Sequence, residues 1–328
     1  MLSLRELGEL KIIDILEQKL GASARMAVGY GDDISAITLG GNRVAVLKTD
    51  MLVGSTDVPP GMTMRQAARK AVVANVSDLA AKGVRPLAGI VALGLPSRLN
   101  KTDIEEIGTG LRSASREYGF DLIGGDTNES RDLTISVALF AIADRRRLVL
   151  RSGACDGDLV AVTGGFGATA AGLKELIEHG KRADQLSPSL YRAVFVPRAQ
   201  LDVGLRLAAS RTLTSSIDSS DGLAWSLHEL TKASRIGIRI NEVPTSREVE
   251  QFATRYSDRA EDLALYGGEE YHLVVTVKPE RIRSAERAAR GRLRTIGVVT
   301  RRFRGVRLKW GERDIRIPMK GWEHFKSK

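Results

Sequence analysis

Two apolar, strand-like runs, ISAITL (34–39) and RVAVLKT (43–49), are separated by only Gly40-Gly41-Asn42. A three-residue Gly/Asn turn joins them directly, without a helix between. Helical and strand-like stretches then follow one another without strict βαβ alternation, which predicts an α+β architecture. MRQAARKAVVANVSDLAAKG has helical spacing and stops at Gly83, with Pro86 beyond. LAGIVALGL reads as a buried strand, KTDIEEIGTGLRSASREYG as a helix stopped by Gly119, and FDLIGG and LTISVALFAI as strands. One unit is complete by about residue 145. After the connector DRRRLVLRSGACDGD, a second unit opens with strand LVAVTG and helix ATAAGLKELIEHG. It runs on through LTSSIDSS, helix GLAWSLHELTKAS, strands IGIRI and EYHLVVTV, helix PERIRSAERAARG and strand LRTIGVV. A chain of 328 residues exceeds most single cores. Two domains are expected, 1–148 and 149–328. The first twenty residues carry Glu6, Glu9 and Asp14 among apolar positions, which predicts an amphipathic helix and not a secretory signal.

Lys and Arg total 50 against 40 Asp and Glu, a formal net charge of +10. Such a surface attracts anions such as nucleotides and phosphorylated metabolites. Against that background the acidic residues are placed selectively, in small-residue contexts at the ends of apolar runs. Asp32 and Asp33 follow Gly-Tyr-Gly; Thr49 and Asp50 end a strand; Asp78 sits in NVSD, Asp126 in LIGGDT, and Asp218 and Asp221 in SIDSSDGL. Strand ends and glycine turns carry side chains to the mouth of a fold, where ligands bind. Carboxylate, Ser and Thr oxygens without Cys/His spacing suit Mg²⁺ held together with substrate phosphates. The competing reading of each is a turn residue or helix cap, Asp221 before GLAWSL above all.

Other chemistries find little support. GxxxxGK[ST], GxSxG and HExxH are absent, and His179, His228, His272 and His324 lie in unlike contexts. TGGFGATAAG contains Gly165-x-Gly167-x-x-Ala170, but no strand ending in an acid follows, so a glycine turn near a phosphate is favoured over a dinucleotide site. Arg145–Arg147 and the Arg-rich stretch 281–316 read as solvated basic surface; with 5% aromatic residues there is no stacking platform for nucleic acid. A basic nucleic-acid-binding protein is nevertheless the rival from another class. The single Cys155 excludes an internal disulfide and fits a reducing cytoplasm. No apolar run approaches the roughly 20 residues that span a bilayer, so no membrane association is expected.

Taken in order, GDDISAI, TDMLV, RKAVVANVSDLAAKGVRP, LIGGDT, RSGACDGD, VTGGFG, SIDSSDGLAWSL, GGEEYHLVVTV and KGWEHF resemble the thiamine-monophosphate kinase family, in the superfamily that also holds aminoimidazole ribonucleotide synthetase and selenophosphate synthetase. The resemblance runs from about residue 5 to residue 326. It implies two α+β domains, with the N-terminal sheet pairing across a homodimer. It implies phosphoryl transfer from ATP to thiamine monophosphate, giving thiamine diphosphate and ADP. Another ATP-dependent synthetase of the superfamily is the near alternative. By the same resemblance several Mg²⁺ ions fall to Asp33, Thr49, Asp50, Asp78, Asp126, Asp218 and Asp221. ATP falls to Gly125, Asp126, Arg151 and Ser220, and the thiamine substrate to Asp57, Glu269 and Trp322. The chain departs from the pattern twice. Asp57 stands where bacterial members commonly have His, and Lys48 where a small hydroxyl residue is common, so position 48 is not assigned to metal.

Overall fold

A computed structural model describes residues 3–322 and residue 325. The first sheet is built from β1 (Met26–Val28), β2 (Ser35–Gly40), β3 (Arg43–Val53), β4 (Ala88–Leu95), β5 (Asp121–Glu129) and β6 (Thr134–Asp144). Its order is β1-β2-β3-β6-β4-β5, and only β4 and β5 pair in parallel. The second sheet holds β7 (Leu159–Val162), β8 (Leu213–Asp218), β9 (Gly237–Ile240), β10 (Leu273–Val277), β11 (Arg294–Thr300), β12 (Gly305–Trp310) and β13 (Arg313–Ile317). Its order is β13-β12-β9-β11-β7-β10-β8, with β9 and β12 parallel. The helices are α1 (Leu4–Leu20), α2 (Gly54–Asp57), α3 (Met64–Lys82), α4 (Lys101–Tyr118), α5 (Ala168–Ile177), α6 (Pro188–Phe195), α7 (Leu201–Ala209), α8 (Leu223–Ser234), α9 (Arg247–Tyr256), α10 (Ala260–Tyr266) and α11 (Ile282–Ala288). The expected α+β organisation is what forms.

One helix joins the two sheets. α3 starts at a Thr63/Gln66 capping box and ends at Gly83, whose φ of 68° is the left-handed C-cap that glycine adopts freely. Nearly all of its residues from Ala67 to Lys82 are buried, so it is a core helix with no solvent face. It packs on β3 and β6 of the first sheet and on β8 and α7 of the second half. That packing is close. A Cβ on Gly204 of α7 would lie 2.0 Å from the Ala80 carbonyl oxygen. The small residues of AAKG and VGL are therefore what lets two helix backbones touch.

Two expectations need correction. LAGIVALGL is not buried on both faces: Leu87 and Ile90 are exposed. They belong to an open apolar face of the first sheet, with Leu47, Met51, Ile123 and Ile142 also exposed on it or its edge. α1 forms, capped by Ser3 and Glu6, but it is kinked at Gly8 and leaves Leu10, Ile13, Leu16 and Leu20 exposed instead of burying an apolar stripe. The later half also holds elements that the sequence did not announce: α6, α7, α9, α10 and the β12–β13 hairpin.

Gly204→Ala should destabilise the fold by about 1–3 kcal/mol or more, the usual cost of forcing atoms into a packed contact. Equilibrium denaturation reads this, and a loss below about 0.5 kcal/mol, the range of ordinary surface substitutions, would mean that the α3–α7 contact is loose.

Candidate active site

The Gly-Asp-Asp turn before β2 points inward. Asp33 is 4% exposed, and its carboxylate meets two cations. Lys82 Nζ lies 2.7 Å from Oδ2, and Arg151 Nε donates to Oδ1 at 2.6 Å. Lys82 is wholly buried; it also reaches Asp32 Oδ1 at 2.8 Å and donates to the Ser216 carbonyl at 2.7 Å. The second Asp32 oxygen accepts the Arg151 backbone N–H, and Arg151 Nη1 reaches Glu229 at 3.0 Å. Burial alone raises the Asp33 carboxyl, but Lys82 and Arg151 outweigh it and hold Asp33 below the usual carboxylate range. Adjacent aspartates in a basic chain are thus explained first by two internal cations.

Next to this pair lies a centre with less positive charge. One oxygen each of Asp33, Asp78 and Asp218 falls within 4.8 Å of the others. Asp78 is carried by α3 and Asp218 by the end of β8, so the buried helix brings the two sheets' carboxylates together. Ser77 Oγ donates to Asp218 at 2.6 Å. Lys48 on β3 spans Asp50 (2.9 Å) and Asp78 (2.8 Å). Burial opposes the charge on Lys48, yet Asp78 and Asp50 raise its pKa above the normal lysine value. One ammonium does not offset the whole group. Burial, with Asp218, Asp50 and Asp33, keeps Asp78 well above the ordinary range despite Lys48. Burial and neighbouring carboxylates push both Asp218 and Asp221 up to about 7. Asp221 feels Asp218, Glu9 of α1 and Asp50, and it does not cap α8, whose N-cap is Gly222. Hard oxygen donors crowded together with too little positive charge fit a divalent cation such as Mg²⁺.

The segment GGEEY crosses the Ser219–Asp221 loop, with backbone N–H groups of Glu269 and Tyr271 donating to Ser220 and Ser219. Glu269 and Tyr271 take φ values of 62° and 53°, a conformation that costs non-glycine residues about 1–3 kcal/mol each. The result sends two adjacent carboxylates in different directions. Glu269 pairs with the buried Lys70 of α3, and Lys70 also donates to the Asp57 carbonyl at 2.8 Å. Lys70 therefore links Glu269 to the Asp57 backbone, while the Asp57 carboxylate accepts the Val53 N–H at 2.7 Å. Glu270 turns the other way and accepts the Gly167 and Thr169 N–H groups at the start of α5, at 2.7 and 3.1 Å. That helix end holds the chain's own carboxylate, so the glycine turn of TGGFG is not left for a phosphate. Burial pushes the Tyr271 hydroxyl well above its usual range, and Glu269, Asp218, Asp50 and Asp57 add to the shift. The Trp322 backbone N–H donates to the Asp221 carbonyl at 3.1 Å, which sets this residue at the same loop. Glu323 and His324 of KGWEHF lie outside the described residues.

Not every expected residue reaches this centre. Thr49 lies on the opposite face of β3 from Lys48 and Asp50, where its hydroxyl donates to the Val137 carbonyl. Gly125 and Asp126 sit on the exposed edge strand β5. In register, Asp50 lies opposite Val137, Val137 opposite Val91 and Val91 opposite Gly125. Three strand spacings of about 4.8 Å put Gly125 roughly 14 Å from Asp50. Lys70, Lys82, Glu229 and Tyr271 were missed as site residues. The signal available for the lysines was a positive charge inside the apolar run ARKAVVANVSDLAAKG, which a core helix accepts only with a paired acid.

Known proteins share this fold. The model of the AIR synthase related protein N-terminal domain matches residues 31–143, and that of the C-terminal domain matches residues 156–308. The class is thus the two-domain AIR synthase fold. The chain is 39% identical to the thiamine-monophosphate kinase of Nitrosopumilus maritimus, covering 98% of this chain and 99% of the relative. It is 35% identical to the thiamine-monophosphate kinase of Pyrococcus horikoshii over 90% of this chain and 91% of the relative. The solved structure of AaThiL complexed with AMPPCP and TMP superposes with a TM-score of 0.85 at 29% identity, covering 99% of each chain. Within its class, this chain belongs to the thiamine-monophosphate kinase family.

The raised Asp218 and Asp221 pKa values have a stability consequence. A carboxyl whose folded pKa exceeds its unfolded value of 3.8 costs stability as pH rises from there to about 7. A divalent cation bound at these carboxylates would relieve that cost by taking the ionised form. The Mg²⁺-induced rise in Tm should therefore be small near about pH 5 and clearly larger near about pH 7.5. An increment independent of pH would separate these carboxylates from the cation site.

Proposed function

We propose that the acidic centre binds Mg²⁺ and the phosphates of ATP, and that Lys70, Asp57, Glu269 and Trp322 mark the end that receives the acceptor. The chain is a thiamine-phosphate kinase: it transfers a phosphoryl group from ATP to thiamine monophosphate, giving thiamine diphosphate and ADP. The observation that supports the assignment of roles is the difference between two acidic groups: Asp33, Asp78 and Asp218 crowd together with too few cations, whereas Glu269 holds Lys70. Bound Mg²⁺ would supply charge neutralisation on the triphosphate and on the group in transfer. Asp33, Asp50, Asp78, Asp218 and Asp221 are the residues to hold it. Arg151 fixes Asp33, and Ser220 presents its backbone beside the nucleotide end. The acceptor is a phosphate monoester with a second pKa of about 6, already ionised near neutrality, so no side chain has to remove a proton. Transfer is direct and in line. Trp322 covers a ring of the thiamine by stacking.

Thr49, Gly125 and Asp126 complete the site through dimerisation on this reading. The exposed apolar face of the first sheet is where a second copy docks, and the open-face residues Thr49 and Asp126 then meet the partner's site. Residues 1–148 supply dimerisation and most of the metal ligands; residues 149–328 close the nucleotide and acceptor sites. Among the described residues no helix is long and apolar enough to cross a membrane. We assign the protein to the cytoplasm, with small-molecule partners and no nucleic acid.

Incubation with ATP, thiamine monophosphate and Mg²⁺ should yield ADP and thiamine diphosphate in equal amounts, and chelation should stop the reaction. Asp218→Asn and Asp126→Asn should each lower kcat at least about a hundredfold, as loss of electrostatic groups does. ADP release without thiamine diphosphate would favour a synthetase of another substrate. Trp322→Ala should raise KM for thiamine monophosphate roughly two- to thirtyfold, as loss of a stacked cation worth about 0.5–2 kcal/mol does, with KM for ATP nearly unchanged. A selective rise in the ATP constant would remove Trp322 from the acceptor site.

A further inference from the structure

We infer that Lys48 is a built-in cation of the acidic centre: its ammonium holds the place of one divalent ion between Asp50 and Asp78, so this chain takes one metal ion fewer than its carboxylates would otherwise bind. The inference rests on the metal-dependent reading above and refines it. Three observations carry it. Lys48 Nζ lies 2.9 Å from Asp50 Oδ1 and 2.8 Å from Asp78 Oδ2, each a direct charge-assisted contact. The side chain is 16% exposed and comes from the middle of β3, so a rigid strand aims it into the centre from the face that packs on α3. The other cations, Lys82 and Arg151, are committed to Asp32, Asp33 and Glu229.

The charge arrangement then divides the centre. Asp33 is neutralised by Lys82 and Arg151, and Asp50 and Asp78 share Lys48. Among the described residues no lysine or arginine lies within ion-pair distance of Asp218 or Asp221, so divalent ions are drawn first to these two, and the other carboxylates add to their coordination. An ammonium does what an ion does for charge, but it differs in two ways. It carries one charge and not two, and it offers no open coordination position to a phosphate oxygen. A serine at this position would offer an oxygen donor instead. Lys48 is therefore a positioning residue. It keeps Asp50 and Asp78 assembled without metal and directs ions toward Asp218, nearer the Ser220 loop.

The test counts ions. Mn²⁺ bound per chain is measured by electron paramagnetic resonance with a saturating non-hydrolysable ATP analogue, for wild type, Lys48→Ser and Lys48→Arg. Lys48→Ser should bind one more Mn²⁺ than wild type, and Lys48→Arg should keep the wild-type number. Without divalent ions, Lys48→Ser should melt below wild type, and Mn²⁺ should raise its Tm by more than it raises that of wild type. A Lys48→Ser chain that folds only with Mn²⁺ gives the same answer. An unchanged ion count in Lys48→Ser, with wild type binding Mn²⁺ normally, overturns the inference and leaves the metal-dependent reading standing. So does a variant that stays unfolded even in Mn²⁺, because a divalent ion then fails to replace the ammonium. If neither protein binds Mn²⁺, the metal-dependent reading fails and the inference falls with it.

Discussion

A wholly buried lysine needs an acid within reach, and Lys82 meets that need with both Asp32 and Asp33. Removing one partner of such a contact leaves an uncompensated buried charge, at a cost of about 3–5 kcal/mol. The rest of the site is arranged around this obligation. Lys82 ends α3, the helix packed between the sheets, and its ammonium also takes the Ser216 carbonyl of β8. One side chain therefore ties the Asp-Asp turn of the first half to the strand that ends in Asp218 in the second. Arg151, in the connector between the sheets, closes the same loop through Asp33 and Glu229. The carboxylates that remain are held rigidly and short of positive charge, which is the condition for capturing a cation and a polyphosphate.

α3 carries this logic along its length. Lys70 faces the Asp57 and Glu269 end, Ser77 and Asp78 face the cluster, and Lys82 anchors the turn. These residues span about eighteen ångströms at 1.5 Å per residue, long enough to line both a triphosphate and an acceptor. From Arg69 to Lys82 the helix has no solvent face, and the charged side chains there, Arg69, Lys70, Asp78 and Lys82, each answer to a partner in a neighbouring element. Helix, turn and loop thus form one network of paired charges on which the fold relies.

Much of this was legible in the chain. Asp33, Asp50, Asp78, Asp218 and Asp221 were visible because short carboxylates beside Gly and Ser at the ends of apolar runs have few structural uses. Helical spacing marked α3, and Gly83 with Pro86 beyond marked its end, while the Thr63/Gln66 capping box is a finding of the structure. What escaped was tertiary. No local pattern tells that Lys82 pairs with a turn fifty residues earlier, or that Glu270 occupies the start of α5 while its neighbour Glu269 meets Lys70. Alternation alone did not reveal that one face of the first sheet is open, since LAGIVALGL is apolar on both faces. Adjacency in the sequence hides that Thr49 and Asp50 point to opposite faces of β3.

The central claim is that the carboxylates of Asp78, Asp218 and their neighbours form the cation site of the kinase. Anomalous scattering from crystals grown with Mn²⁺, an ATP analogue and thiamine monophosphate locates the ions directly. The account predicts at least one anomalous peak within coordination distance of Asp218 and of a phosphate oxygen of the analogue. Peaks confined to other parts of the surface, with Asp78 and Asp218 held by protein side chains alone, would contradict it.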